Sequence, residues 1–526
     1  MQNPLWWQRG IIYQVYPRSF QDTNGDGVGD LLGIAERLDY LVTLGVDALW
    51  LSPIQPSPMA DFGYDISDYC NVDPLFGTLA DFDRLLADAH ARGLKLILDF
   101  VPNHTSERHP WFIESRGCRD SPKRDWYIWR PPGPAGGPPN NWLSRFGGSA
   151  WERDETTGEY YLHSFLKQQP DLNWRNPAVR AAMMDALGFW LDRGVDGFRM
   201  DVLWVLVKDD LFRDNPVNPA WKPGGPLHDQ FIDLYTADRL EVQDIVAEMR
   251  SVIDGYPGDR VMIGEIYLPV DRLVAYYGKS LHGAQLPFNF QLINTKWNAA
   301  TIADIVRKYE AALPPGAWPN WVLGNHDQPR IATRVGAAQA RLAAMLLLTL
   351  RGTPTLYYGD EIGMSNGKIP PELVQDPAEK IQPGIGLGRD PQRTPMQWDA
   401  SREAGFTTGH PWLPIDPVAE LDNVARVSKD PDSIWTLYHA LIALRRDRTA
   451  LSVGSLHEIG ADGDILRFSR GEGAESVLVL LNMGEVPKEV AIGPATILLS
   501  THLDRPNELV STVAMRPGEG LVLEIE

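Results

Sequence analysis

Three acids in the 526-residue chain sit where short apolar runs give way to polar residues. They are Asp201 in Gly197-Phe198-Arg199-Met200-Asp201, Glu265 in Gly264-Glu265-Ile266 and Asp327 in Gly324-Asn325-His326-Asp327. Side chains alternate along a strand, so Arg199 and Asp201 share one face and Met200 takes the other. A guanidinium beside a carboxylate favours its ionised form, which an attacking nucleophile needs. The same two residues would equally make a structural ion pair at a rim. Glu265, at the edge of a hydrophobic strand, is placed to keep a proton for donation, although alone it is an ordinary rim glutamate. Three acids at three strand ends point to one site. Paired carboxylates flanking a scissile bond are the equipment of glycoside hydrolysis.

A second constellation is Asp22-Thr23-Asn24-Gly25-Asp26-Gly27-Val28-Gly29-Asp30. Oxygen donors recur at alternate positions around glycine turns, as in the opening of a calcium loop. Asp22, Asn24, Asp26 and Asp30 would supply side chains and Val28 its carbonyl. Gly33 stands where the distal bidentate acid of an EF-hand belongs, so an EF-hand is excluded. A structural Ca²⁺ or Mg²⁺ site and a plain Asp/Gly turn both remain open, and no organic cofactor is indicated. Asp61, Tyr64 and His104 are further polar residues near strand ends. Trp126, Trp129, Trp142, Phe146 and Phe165 cluster in one Pro/Gly-rich stretch, where sugar faces could stack on one or two of the rings.

What must position these groups is a repeated unit, an amphipathic helix ending at glycine and then a short apolar strand. Leu31, Ile34, Leu38 and Leu41 mark the first helix, between Asp30 as N-cap and Gly45, before Asp47–Leu51. Phe82, Leu85 and Ala89 precede Gly93 and the strand Leu94–Phe100. Asn176-Pro177 opens a third helix through Val179, Met183 and Trp190, which ends at Gly194. Further strands are expected at Ile11–Tyr16, Val261–Ile266, Leu286–Phe290, Trp321–Leu323 and Thr355–Tyr358. Eight strands alternating with helices predict an α/β fold, a (β/α)8 TIM barrel with polar strand ends facing a site. Residues 1–104 and 176–447 would form the barrel and 105–175 an inserted lid subdomain after the third strand. Residues 362–412 would make a lid-like excursion, and 448–526 a C-terminal antiparallel β-sandwich.

Composition narrows the partners. With 49 basic against 69 acidic residues, a formal charge of −20, the chain lacks the basic footprint of a nucleic-acid binder. The two cysteines make no disulfide framework or zinc motif. Met1–Trp7 lacks the pattern of a secretory leader, and the longest apolar stretch is too short for a bilayer. A cytoplasmic protein with no membrane partner is expected, and the oligomeric state is not readable.

Several longer segments carry a family likeness. They are Tyr13-Gln14-Val15-Tyr16-Pro17-Arg18-Ser19-Phe20, Asp99-Phe100-Val101-Pro102-Asn103-His104-Thr105-Ser106 and Gln169-Pro170-Asp171-Leu172-Asn173. Gly197–Asp201, Glu265, Asn325-His326-Asp327 and Arg393-Thr394-Pro395-Met396-Gln397-Trp398 complete the set. In this order they resemble the α-amylase family of glycoside hydrolases, family thirteen, in its bacterial α-glucosidase and oligo-1,6-glucosidase branch. The resemblance implies a retaining double displacement, with Asp201 as nucleophile, Glu265 as general acid/base and Asp327 holding sugar hydroxyls. It implies that Arg199, His104 and His326 contact the non-reducing sugar and that Tyr64 is a stacking platform. Asp61 and Arg393 would close the pocket against a terminal glucose, Phe146 and Phe165 would form aromatic walls, and Asp22–Asp30 would be a divalent-metal loop.

The substrate so implied is a short α-glucoside or oligosaccharide, cut exo-fashion, with transglucosylation on the side. Val202, directly after the nucleophile position, resembles α-1,6-acting members and biases toward α-1,6 or mixed linkage. Sucrose isomerases and glucosyltransferases share the triad, but Gly388-Arg389-Asp390 lacks the isomerases' fuller arginine-rich motif. A non-catalytic sugar-binding relative would be marked by loss of a triad acid, and none is lost.

Overall fold

Each expected apolar run forms a parallel strand in the computed structural model, which describes residues 4–505 and 507–525. The strands are β1 (Ile12–Val15), β2 (Ala48–Leu51), β3 (Lys95–Phe100), β4 (Gly197–Met200), β5 (Val261–Gly264), β6 (Leu286–Pro287), β7 (Asn320–Val322) and β8 (Thr353–Tyr357). Hydrogen bonding runs in the order β7-β8-β1-β2-β3-β4-β5-β6. A parallel bridge between Asn289 and Trp321 joins the two ends and closes the barrel. Met1–Asn3, part of the amino terminus read for a leader, lie outside the described residues.

Alternation along the strands sorts the apolar side chains into two cores. Ile12, Ala48, Trp50, Ile97, Val261, Ile263, Leu286 and Val322 form one cluster inside the barrel. Their neighbours Tyr13, Leu49, Leu96, Leu98, Phe198 and Met262 point outward and pack in the core shared with the helices. The same alternation carries Asp99, Arg199, Asp201 and Glu265 inward, above the apolar layer.

The helices follow their caps. Asp30 accepts the Gly33 N–H at 2.7 Å to start α1 (Leu31–Glu36). Gly45 ends α2 (Leu38–Leu44) in the left-handed region, where only glycine is unstrained. The single helix expected here is broken at Arg37, whose guanidinium is held by Gln21 Oε1 at 2.8 Å and lies over the Trp398 ring. A Thr78/Asp81 capping box opens α3 (Leu79–Ala91), and Asn176 caps α4 (Pro177–Asp192).

Three excursions from the strand ends build the wall of the site. Residues 105–175 hold a helix at Pro110–Gly117 and a small antiparallel sheet of Trp129–Arg130, Tyr160–Leu162 and Trp151–Arg153. Residues 362–412 carry turns and one short helix, Pro377–Ile381. The third excursion, residues 202–241 after β4, was not anticipated, although Pro216, Pro219 and Pro223-Gly224-Gly225-Pro226 mark it as loop.

At the C-terminus, β9 (Leu456–Asp462), β10 (Ile465–Arg470), β11 (Val477–Asn482), β12 (Lys488–Ser500), β13 (Leu509–Met515) and β14 (Gly520–Ile525) form an antiparallel unit. They hydrogen-bond as one sheet, β9-β10-β11-β14-β12-β13, so the expected sandwich has a single continuous sheet with a core on each face. Leu466, Phe468, Val479 and Leu481 join the barrel core, while Leu478, Leu480, Ile497 and Leu523 form their own.

Candidate active site

One guanidinium organises the floor of the barrel mouth. Arg199 Nη1 lies 2.8 Å from Asp201 Oδ1 and 3.0 Å from Asp99 Oδ1, and Nη2 lies 2.8 Å from Glu265 Oε2. The strands set this up directly, because Asp99 on β3 is register partner to Arg199 on β4, which is register partner to Ile263 on β5. Glu265 Oε2 also accepts the Val202 N–H at 2.8 Å. Asp201 and Glu265 thus lie side by side on one guanidinium. Burial first, and the adjoining Glu265 second, push Asp201 well above the usual carboxylate range. Asp99 is pushed up to about 6 by burial, against the pull of Arg199.

A polar chain runs from this floor along the wall. Gln14 Nε2 donates to His326 Nδ1 at 2.8 Å, which leaves the proton of the ring on Nε2. His326 Nε2 lies 2.7 Å from the Tyr64 hydroxyl, which donates to Asp99 Oδ2 at 3.0 Å. Burial holds His326 well below its ordinary value and takes His104 down to about 4, so both rings are neutral near pH 7. Tyr64 stacks on His326 with ring centroids 5.3 Å apart. Burial alone would raise Asp327, yet the Arg393 and Arg389 guanidiniums, 2.9 and 3.4 Å from its Oδ1, help hold its carboxyl well below the usual range.

The cavity above the floor has a volume of about 450 Å³. Asp201, Glu265, Asp327, Asp61, Tyr64, His104, His326, Phe146, Phe165 and Val202 all line it, so ten sequence-derived positions converge on one space. Arg199 and Arg393 do not reach its surface. Both are fully buried and lie behind the carboxylates they pair with, Arg199 behind Asp201 and Glu265 and Arg393 behind Asp327.

The expected Asp61–Arg393 pair needs correction. Arg389 Nη2 is the group 2.6 Å from Asp61 Oδ1, while Arg393 Nη2 lies 2.9 Å from Asp327 Oδ1. Asp390–Gln392 form a single 3-10 turn that carries Arg389 to the cavity side and buries Arg393 beneath Asp327. Sequence reasoning also missed Trp204, Asp229, Tyr267, Gln328 and Leu387 in the lining. Asp99 was legible from strand alternation, being two residues beyond the inward Ile97. Trp204 and Asp229 lie in the unanticipated excursion and left no signal.

Val202 itself has φ 37° and ψ 45°, a left-handed backbone rare for a β-branched residue. That turn directs its N–H back at Glu265, so the strain sits where it positions a functional carboxyl.

The Asp22–Asp30 loop lies apart from this cavity. Asp22 accepts N–H groups from Asn24, Gly25 and Gly27, Asp26 accepts Val28 N–H, and Asp30 caps α1. Among the described residues no three His, Cys, Asp or Glu side chains are gathered as an ion cage. The donor set nonetheless suits a hard cation, since it is all oxygen. Among the described residues none of the three carboxylates has a Lys, Arg or His within 4.0 Å.

Comparison with known proteins follows the same lines. The family profile for the α-amylase catalytic domain matches residues 14–454. An oligo-1,6-glucosidase of Parageobacillus thermoglucosidasius is 40% identical over 567 residues, covering 99% of each chain. Among solved structures, an α-glucosyl transfer enzyme, XgtA, superimposes with a TM-score of 0.93 at 40% identity over 99% of both chains. A trehalulose synthase, MutB, does so with a TM-score of 0.91 at 36% identity, over 99% of this chain and 100% of its own.

Proposed function

The chain belongs to the α-amylase family and is a glycoside hydrolase, and we propose that it is a retaining, exo-acting α-glucosidase releasing glucose from the non-reducing end of short α-glucosides. The observation that carries this reading is that Asp201 and Glu265 share one guanidinium, each with a carboxylate oxygen 2.8 Å from Arg199, an arrangement that suits the close carboxyl pair of a retaining enzyme. In the reaction, Glu265 gives its proton to the glycosidic oxygen as Asp201 attacks the anomeric carbon. The bond to the leaving sugar breaks and a glucosyl ester forms on Asp201. Water then enters, Glu265 takes its proton, and the ester opens with the original anomeric configuration. Asp327, held ionised, accepts hydrogen bonds from sugar hydroxyls. Neutral His104 and His326 bind without competing for the proton.

Exo action follows from the rim. Asp61 and Arg389 form an ion pair in the cavity lining, and such a pair in the wall suits a pocket closed behind a terminal glucose. Val202 supports α-1,6 or mixed linkage. Another hydroxyl can replace water in the second step, so glucosyl transfer accompanies hydrolysis, as the likeness to the α-glucosyl transfer enzyme supports. Incubation with maltose, isomaltose, sucrose and trehalose, followed by chromatography, tests the reading. Glucose release supports it, whereas trehalulose or isomaltulose as the main product from sucrose would replace it with an isomerase.

Two further features belong to this reading. Asp22, Asn24, Asp26, Asp30 and the Val28 carbonyl would hold a Ca²⁺ or Mg²⁺ ion, which would neutralise the loop's charge and brace it without entering the chemistry. Cys70 and Cys118 are both free thiols, which suits the reducing cytoplasm. Among the described residues no helix is long and apolar enough to cross a membrane.

A further inference from the structure

The three excursions that wall the cavity start from three different strands, and one side-chain amide ties them together. Gln382 follows the helix Pro377–Ile381 in the 362–412 excursion and is 7% exposed. Its Nε2 donates to the Phe146 carbonyl at 3.0 Å, in the 105–175 insertion. Its Oε1 accepts the Leu227 N–H at 3.0 Å, in the 202–241 excursion. The approach is close enough to require glycine at 147, where a Cβ would stand 2.6 Å from Nε2 on a backbone with φ +96°. Each tied segment puts a side chain into the cavity wall: Phe146 itself, Asp229 two residues beyond Leu227, and Ala378 four residues before Gln382.

We propose that Gln382 is a positioning residue that clasps the three rim segments into one wall and thereby sets substrate affinity. An amide is the group this needs, because one partner is a carbonyl and the other an N–H. The floor does not share in the clasp, since Asp201 and Glu265 are held by Arg199 on the barrel strands. Releasing Gln382 therefore loosens binding and leaves the chemistry in place. Phe146 is the sensitive element, because its ring lies 5.1 Å from the Arg389 guanidinium that pairs with Asp61.

The inference rests on the glucosidase reading for its kinetic consequence but not for its structural one. Gln382→Glu keeps the size and sets a carboxylate oxygen against the Phe146 carbonyl, Gln382→Ala removes both bonds, and Gly147→Ala displaces the amide from the opposite side. Hydrogen exchange of the whole chain without substrate should show faster exchange in all three variants, confined to segments around 143–148 and 224–230. In assays with a chromogenic α-glucoside, KM should rise about tenfold, as loss of two hydrogen bonds to an ordered wall implies, with kcat within about twofold and Tm nearly unchanged. Wild-type exchange in both segments in all variants would overturn the clasp. Faster exchange with KM unaltered, or with kcat and Tm falling together with it, would overturn its role in affinity. A wild-type enzyme that does not turn over the glucoside would fail the glucosidase reading alone and leave the exchange result to decide the clasp.

Discussion

Arg389 places Nη2 2.6 Å from Asp61 Oδ1 and Nε 2.6 Å from Asp376 Oδ2, so one guanidinium spans two buried carboxylates from different segments of the wall. Asp61 gains from this, because burial raises its carboxyl and Arg389 is the main opposing influence. Arg389→Ala leaves both acids buried without their nearest cation, a loss typically of about 3–5 kcal/mol. The expected outcome is a lower Tm and a kcat/KM on isomaltose reduced about a hundredfold, mainly through KM. Arg389→Lys should recover only part, since a single ammonium does not bridge two carboxylates in a fork. Steady-state kinetics on the two variants check this, and an unchanged KM in Arg389→Ala would remove Arg389 from the pocket closure.

The carboxyl pair on Arg199 separates two roles by leaving group. Asp201→Asn removes the nucleophile and should lower kcat by about 10⁴-fold or more on every substrate. Glu265→Gln removes proton donation in the first step and the base of the second, so kcat should fall on every substrate. Its kcat/KM, which reports the first step, should fall about 10²–10⁴-fold on disaccharides but far less on a nitrophenyl glucoside, whose leaving group departs as an anion. Both replacements are neutral and nearly isosteric, so Tm should not fall. Equal losses of kcat/KM on the two substrate types in Glu265→Gln would contradict its assignment as the acid.

How much of this was readable follows from where each residue sits. Parallel strands are buried on both faces, so Ala48–Leu51 or Val261–Gly264 stand out as apolar runs. Residues just beyond them, such as Asp201 and Glu265, inherit their direction from the alternation. Loops carry no such period. Arg389 and Arg393 lie four residues apart on either side of one turn, and only the folded turn decides which reaches Asp61. The break at Arg37 was hidden for a related reason, because the apolar spacing continues through it while a tertiary contact to Gln21 interrupts the helix. Asp229 is brought to the cavity by an excursion whose composition announces only that it is irregular.

Asp360 makes the stability pH-dependent. Burial pushes its carboxyl up to about 7, against the favourable Arg330 guanidinium, while its unfolded value is that of an ordinary aspartate. Between these values the folded chain holds a proton that the unfolded chain has released. Stability is therefore greatest below the unfolded value and declines as pH rises toward and through about 7. The span corresponds to roughly 4 kcal/mol at most, by order of magnitude. Calorimetry from pH 4 to 8 should show Tm falling in the wild type and falling less in Asp360→Asn, and parallel curves for the two would sink the assignment.

The Asp22–Asp30 loop gives a test that needs no activity. Three carboxylates within nine residues and without a basic partner should make the stripped protein less stable, and Ca²⁺ or Mg²⁺ should raise Tm in a saturable way. At a concentration about 100 times Kd the gain is about 2.7 kcal/mol. Asp26 accepts only local loop hydrogen bonds, from Val28 N–H and the Asn24 amide, so Asp26→Ala should abolish the cation response with little change in the stripped protein. Calorimetric titration with each ion after chelator treatment measures this, and an identical response in Asp26→Ala would remove the loop as the site.

Val202 joins backbone strain to linkage preference. Its left-handed conformation costs a β-branched residue of order 1–3 kcal/mol, and the turn it makes delivers its N–H to Glu265 Oε2 at 2.8 Å. Val202→Gly relieves the strain and frees the turn, so Tm should rise or hold while kcat falls, because the carboxyl that must donate a proton is less firmly held. Val202→Thr keeps the branched shape and the N–H and exchanges one methyl for a hydroxyl in the cavity wall. That single contact is worth about 1–3 kcal/mol, so the ratio of kcat/KM for isomaltose over maltose should move toward maltose by roughly 5- to 100-fold, with kcat on a nitrophenyl glucoside nearly unchanged. The two substitutions thus pull apart what the backbone does from what the side chain does. If Val202→Thr leaves the linkage ratio where it was, the side chain is not the selector, and preference must come from the Trp204 and Asp229 side of the cavity instead.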